Sequence, residues 1–152
     1  MKLAEALALR AENTRKVEQL RNRIVDNARY QEGESPAEDA AALITESQTV
    51  LDELESLIRR INKTNATAEV GDGTMTDALA RRDVLRLRHK TITSAADAAS
   101  GSCYARQLRS ELTYVSALSV SELRSTADDL ARQLREVDVD IQRRNWEVDL
   151  ID

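Results

Sequence analysis

The sequence has 152 residues, a net charge of −5, a single Pro, a single Cys and 3% aromatic residues. Its Leu, Ile and Val number 18, 7 and 10, more than a disordered chain carries, while the scarcity of aromatic residues argues against a sandwich or barrel. No run of about 18 apolar residues occurs and Glu5 breaks the apolar N-terminal stretch, so neither a membrane span nor a signal peptide is read and a cytoplasmic location is expected.

All four Gly and the Pro fall in three places: Gly33-Glu34-Ser35-Pro36, Gly71-Asp72-Gly73 and Ser100-Gly101-Ser102. The blocks between them predict four long helices, over about residues 2–30, 36–64, 75–99 and 120–145. In the first, Leu3, Ala6, Leu7, Val17, Leu20 and Ile24 recur at threes and fours, with Arg10 and Asn13 interrupting the stripe. The second opens on Ser35, Pro36 and Glu38, a pattern that predicts an N-cap, a proline at the first helical position and a capping-box carboxylate. Along it Ala40, Leu43, Ser47, Val50, Leu54, Leu57 and Ile61 form an apolar stripe, which Ile44, Leu51 and Ile58 widen to a bundle-type face. The third is predicted to begin after Thr74, with Asp77 three residues on, and carries Ala78, Leu85, Ile92, Ala95, Ala96 and Ala99. The fourth is predicted to begin after Ser119, with Glu122 three residues on. It keeps the three-four rhythm through Val120, Leu123, Ala127, Leu130, Leu134, Val137 and Ile141.

Residues 100–119 fit a helix through Tyr104, Leu108, Leu112 and Val115, or a strand through Leu108, Leu112 and Tyr114. They are read as an extended arm or β-hairpin that pairs either with the loop before the third helix, where Thr67 to Val70 would be a second short strand, or with another subunit. The expected architecture is all-α: one domain, residues 1–152, built as an elongated antiparallel bundle of four helices with coiled-coil-like stripes.

Charge alternates along the chain. Residues 31–58 hold eight acidic groups and no basic one, whereas residues 78–109 hold seven basic groups against two acidic. The densest basic stretch is Arg81, Arg82, Arg86, Arg88 and Lys90. It either pairs with the acidic second and fourth helices or presents an anion or nucleic-acid surface, although no aromatic residue stands in it to stack on bases.

Most enzyme chemistry lacks its residues. A di-iron bundle needs two Glu-x-x-His pairs, and the one histidine, His89, follows Arg86 at that spacing. No catalytic residue, metal ligand or cofactor is therefore assigned. The acidic pairs Asp52 with Glu55 and Asp149 with Asp152 read as solvated faces, Cys103 as an idle or buried thiol, and Gly71-Asp72-Gly73 as a turn rather than a phosphate loop.

Three polar clusters stand out: Ile61-Asn62-Lys63-Thr64-Asn65, the run Asp72-Gly73-Thr74-Met75-Thr76-Asp77 through Arg81-Arg82-Asp83, and Ile141-Gln142-Arg143-Arg144-Asn145-Trp146. In that order they resemble the septicolysin-like family of small bacterial proteins, and the resemblance spans most of the chain. It implies a helical cytosolic protein of unassigned activity. The lytic activity in the family's name is not carried over, because no secretion signal, tryptophan-rich membrane loop or β-rich domain accompanies it.

In an up-down-up-down bundle these clusters would share one pole. There Asn62, Asn65, Asp72, Thr74, Asp77, Arg81, Arg82, Gln142, Asn145 and Trp146 form a polar patch. They either cap helix ends, with Trp146 closing the core, or make a ligand site or subunit contact. The leading functional expectation is a non-enzymatic helical protein that forms homo-oligomers and acts as a structural or interaction module. The alternatives are an anion or nucleic-acid binder on the basic stretch, and a small-ligand binder or enzyme at the pole.

Overall fold

The computed structural model describes residues 1–101 and 114–152. Among them the chain forms α1 (Leu3–Asn27), α2 (Ala40–Thr67), β1 (Glu69–Val70), β2 (Gly73–Thr74), α3 (Met75–Ala99) and α4 (Val120–Glu147). The all-α class and its four helices hold, and the only sheet among these residues is a two-stranded one. Most of the expected arm, including Cys103, Tyr104, Leu108 and Leu112, lies outside the described residues, and residues 114–119 are irregular. The chain, read from the sequence as one domain, divides into two compact units: Met1–Ala68 with Arg143–Asp152, and Glu69–Gln142.

In the first unit α1 and α2 pack as an antiparallel pair. Leu20, Leu43 and Val50 form a buried cluster with Val17 and Ile24 against it, each fully buried Leu or Val contributing about 1.5–3 kcal/mol. The basic and acidic helices also meet through charge: Lys16 Nζ lies 3.1 Å from Glu46, and Arg23 grips Glu38 through Nε at 2.9 Å and through a second, shorter bond from its Nη2. Asn27 completes this corner, accepting the Glu38 N–H at 2.9 Å.

That corner explains why α2 does not begin where the sequence pattern puts it. Glu38 is drawn to Arg23 and Asn27 on α1, so it does not close a capping box with Ser35. The cap is Asp39, whose Oδ1 accepts the N–H groups of Ala41 and Ala42 at 2.9 and 3.2 Å, and the helix starts at Ala40 rather than 36.

The C-terminal segment is fastened to the same pair. Leu3 N–H donates to the Val148 carbonyl and Leu150 N–H to the Met1 carbonyl, both at 2.9 Å. The fully buried Thr64 hydroxyl donates to the Arg60 carbonyl at 2.8 Å and accepts the Ile151 N–H at 3.0 Å.

In the second unit α3 and α4 run antiparallel, tied by Arg124 to Asp97 at 2.7 Å and Arg86 to Asp138 at 3.7 Å. Met75, Leu85, Ala96, Ala127 and Ile141 are buried, while Leu123, Leu130, Leu134 and Val137 on the α4 stripe are only half-buried. The short strand expected at Thr67 to Val70 narrows to Glu69–Val70, and the pairing proposed for it with the arm lies outside the described residues. Glu69–Val70 pairs antiparallel with Gly73–Thr74 across a two-residue turn, because Gly71, at φ +59°, supplies the positive φ that the first position of a II′ hairpin turn requires.

Candidate functional site

The hairpin and the start of α3 build the most developed polar site of the second unit. Thr74 is the N-cap of α3, and its Oγ1 accepts the Asp77 N–H at 3.3 Å. In return Asp77 Oδ2 accepts both the Thr74 N–H at 2.8 Å and the Thr74 hydroxyl at 2.7 Å. These bonds, the backbone one first, hold the Asp77 carboxyl below its ordinary range. Gly73 is required here for space, since a Cβ on it would stand 2.9 Å from Asp77 Oδ2.

Beside this cap lies an open cleft of about 400 Å³, lined among others by Val70, Asp72, Asp77, Arg81, Val137 and Asp140. Three of the residues singled out in the sequence, Asp72, Asp77 and Arg81, are thus brought to one place. Three carboxylates against one guanidinium make the cleft anionic, so it suits an amine or other cation better than a phosphate. Asp77 is committed to the cap and acidified by it, and among the described residues no group of three or more His, Cys, Asp or Glu is placed to hold a metal.

The remaining patch residues divide between the units. Arg82 turns to Asp83, with Nε and Nη2 both 3.2 Å from Oδ1, and Gln142 is exposed. In the first unit Asn62 is exposed, Asn65 half-buried and Asn145 buried. Trp146 is 63% exposed, so it does not close the core. The spacing of the cluster suggested otherwise because Asn145 and Trp146 are adjacent on α4, about 100° apart, and Asn145 takes the inward position.

The basic stretch of α3 does not present one face. Arg86 reaches Asp138 on α4 and, at 3.9 Å, Asp83; Arg81 lines the cleft, while Arg88 and Lys90 are exposed on opposite sides of the helix at 100° per residue. His89 is half-buried between them.

Two features were not singled out in the sequence. A groove of about 660 Å³ on the first unit is lined by Asp52, Glu55, Ser56, Arg59, Arg60, Lys63 and Asp152. In it Arg60 holds Asp152 Oδ1 at 2.6 Å, and Lys63 donates to the Asp152 carbonyl. Asp52, Glu55 and Asp152, read from the sequence as solvated, therefore share a groove with three cations. The signal for it was the abrupt switch from the acidic run to Arg59, Arg60 and Lys63.

The second feature is apolar. Ile44, Leu51 and Ile58, expected to widen the buried face of α2, are instead 47%, 39% and 36% exposed. They sit about 100° around the helix from Leu43, Val50 and Leu57, which face α1.

The comparisons with known proteins match this fold and leave its role open. A crystal structure of a functionally unknown conserved protein from Corynebacterium diphtheriae is 39% identical, covers 99% of both chains and superposes with a TM-score of 0.94. No curated protein matches the chain. A family of unknown function, DUF6847, matches residues 10–150, and the chain belongs to it.

Proposed function

We propose that the protein is a self-associating helical module without catalytic activity, working in the cytoplasm as a structural or interaction element. The observation that supports this reading is unburied surface. Ile44, Leu51 and Ile58 on α2 are each more than one-third exposed, and Leu123, Leu130, Leu134 and Val137 on α4 are only half-buried. Much of the exposed apolar area is in helical register, as on α2 and along the half-buried stripe of α4. No helix among the described residues is long and apolar enough to cross a membrane, so a bilayer is not what covers these stripes as a span. The motif resemblance to the septicolysin-like family is carried into this reading with its helical fold and without lysis.

Sedimentation velocity of the full chain across the micromolar range tests the proposal. A sedimenting species of twice the chain mass or more, growing with concentration, is the expected result. A monomer throughout that range refutes it.

A second reading rests on the anionic cleft at the hairpin, which gathers Asp72, Asp77, Arg81 and Asp140: a site for a small cationic ligand. A thermal-shift series with polyamines, amino acids and divalent metals, read against Asp72→Asn, checks it. A shift that the substitution leaves unchanged counts against the cleft.

A further inference from the structure

We infer that the groove along α2 in the first unit is a recognition site for an acidic peptide segment, and that the chain's own Asp152 sits in it as a stand-in for that ligand. The inference gives the interaction role in the proposed function a ligand class and does not depend on self-association.

Helical spacing alone gathers the cations. Arg59, Arg60 and Lys63 fall within about 100° of one face of α2 and within about 6 Å along its axis, and all three line the groove. The tail shows what they accept. Arg60 Nε donates to the Ile151 carbonyl at 3.2 Å and Arg60 Nη2 to Asp152 Oδ1 at 2.6 Å, while Lys63 Nζ donates to the Asp152 carbonyl. Two side chains thus read one carboxylate and two consecutive main-chain carbonyls, the acceptors of an extended acidic segment rather than of an isolated anion.

Three observations distinguish this arrangement from a structural clasp. The tail is seated without Asp152, because Leu150 is buried and the Ile151 N–H donates to the fully buried Thr64 hydroxyl at 3.0 Å. The Asp152 side chain is 100% exposed although Arg60 holds it, and a pair so open to water is weak enough for another carboxylate to displace. The groove also extends beyond the tail: about 660 Å³ remain beside Asp152, and Arg59, 80% exposed with its own Glu55 no nearer than 3.9 Å, offers that space a third cation.

Charge narrows the ligand further. Ser56, Glu55 and Asp52 continue the groove toward the start of α2. Two carboxylates on the same wall as the three cations repel a polyphosphate or a nucleic acid. They suit a ligand that carries one carboxylate among N–H donors, as an aspartate-bearing peptide does.

The blocked peptide acetyl-Leu-Ile-Asp amide, titrated into the full chain and followed by the arginine side-chain NMR signals, tests the site. It should shift the Arg60 Nε–H signal, and acetyl-Leu-Ile-Asn amide, which lacks the carboxylate, should not. Asp152→Asn removes the internal competitor and should tighten binding of the aspartyl peptide at least threefold with Tm unchanged. Arg59→Gln should weaken it at least threefold, also with Tm unchanged. If Asp152→Asn lowers Tm and leaves peptide affinity as it was, Asp152 is a clasp and the inference is wrong. Binding that is indifferent to Arg59→Gln places the peptide elsewhere and overturns it equally. Acetate or inorganic phosphate producing the same shifts at the same affinity would show a site that reads charge alone, and would refute the peptide assignment.

Discussion

Gly71 and Gly73 flank one residue of a turn, yet the structure requires glycine at each for a different reason, and substitution separates the two. Gly71 has φ +59° and nothing within 4 Å of where a Cβ would be. Gly71→Ala should cost about 1–3 kcal/mol from the backbone alone, and Gly71→Asn should do no better, since asparagine tolerates the left-handed helical region and not the first position of a II′ turn. Gly73 has no such torsion. Its added Cβ would lie 2.9 Å from Asp77 Oδ2 and 3.2 Å from Asp77 Cβ. Oδ2 is the atom that accepts both Thr74 donors, so it can retreat only by giving up the capping box. Loss of the Thr74 cap of α3 costs about 0.5–2 kcal/mol, and each kcal/mol lowers Tm by about 2–4 °C in a chain of this size. The decisive assay is a double-mutant cycle by urea denaturation with Asp77→Ala, which removes the obstructing carboxylate. Gly73→Ala should cost far less in that background than in the parent, and exchange of the Thr74 amide should accelerate in Gly73→Ala as it does in Asp77→Ala. Additive costs, or a Gly73→Ala protein as stable as the parent, would refute the steric argument.

Leu20→Ala opens the centre of the α1 and α2 cluster, where Leu20 is 1% exposed, and should destabilise by about 2–5 kcal/mol in urea melts. Arg86→Ala removes a 3.7 Å pair to Asp138 between half-exposed side chains and should change stability by less than about 1 kcal/mol. The two acidified carboxylates set an acid limit. Glu38 is lowered by its bond from Arg23 and Asp77 by its bonds from Thr74, so the unfolded chain binds these protons more readily than the folded one. Their contribution is complete above the ordinary value of 4.5 for Glu38 and 3.8 for Asp77. It disappears as pH falls through the lower folded values. Melting temperature should therefore fall with acid below those values, and less steeply in Arg23→Gln and Asp77→Ala proteins than in the parent.

Local signals were legible in the sequence where no distant residue competed for them. The α3 cap follows from Thr74 and Asp77 three residues apart, because both partners lie in the same turn and neither has another claim on it. The α2 cap was misread for the opposite reason. Ser35, Pro36 and Glu38 make as good a local pattern, but Arg23 offers Glu38 a bidentate charged partner from α1, and that contact is invisible in a reading of neighbours. Trp146 and Asn145 show the same limit on a smaller scale: periodicity locates a stripe to within one residue, and one residue on a helix is 100°. The turn at Gly71-Asp72 was legible from its glycines, whereas the pairing of Glu69–Val70 with Gly73–Thr74 across it is too short to show as a strand pattern.

The misplaced expectation about Ile44, Leu51 and Ile58 carries the most functional weight. Periodicity assigns apolar residues to a helix face without saying what covers the face, so a wide stripe reads alike whether one partner fills it or two. In the folded chain α1 covers Leu43, Val50 and Leu57, and the neighbouring edge stays open although it is as apolar and as regular. An edge kept apolar at three successive two-turn intervals costs solubility unless something buries it. On α2 the charges around that edge are arranged as a polarity, acidic at one end and basic at the other. Burial of that edge against a second copy is what the self-association proposal requires.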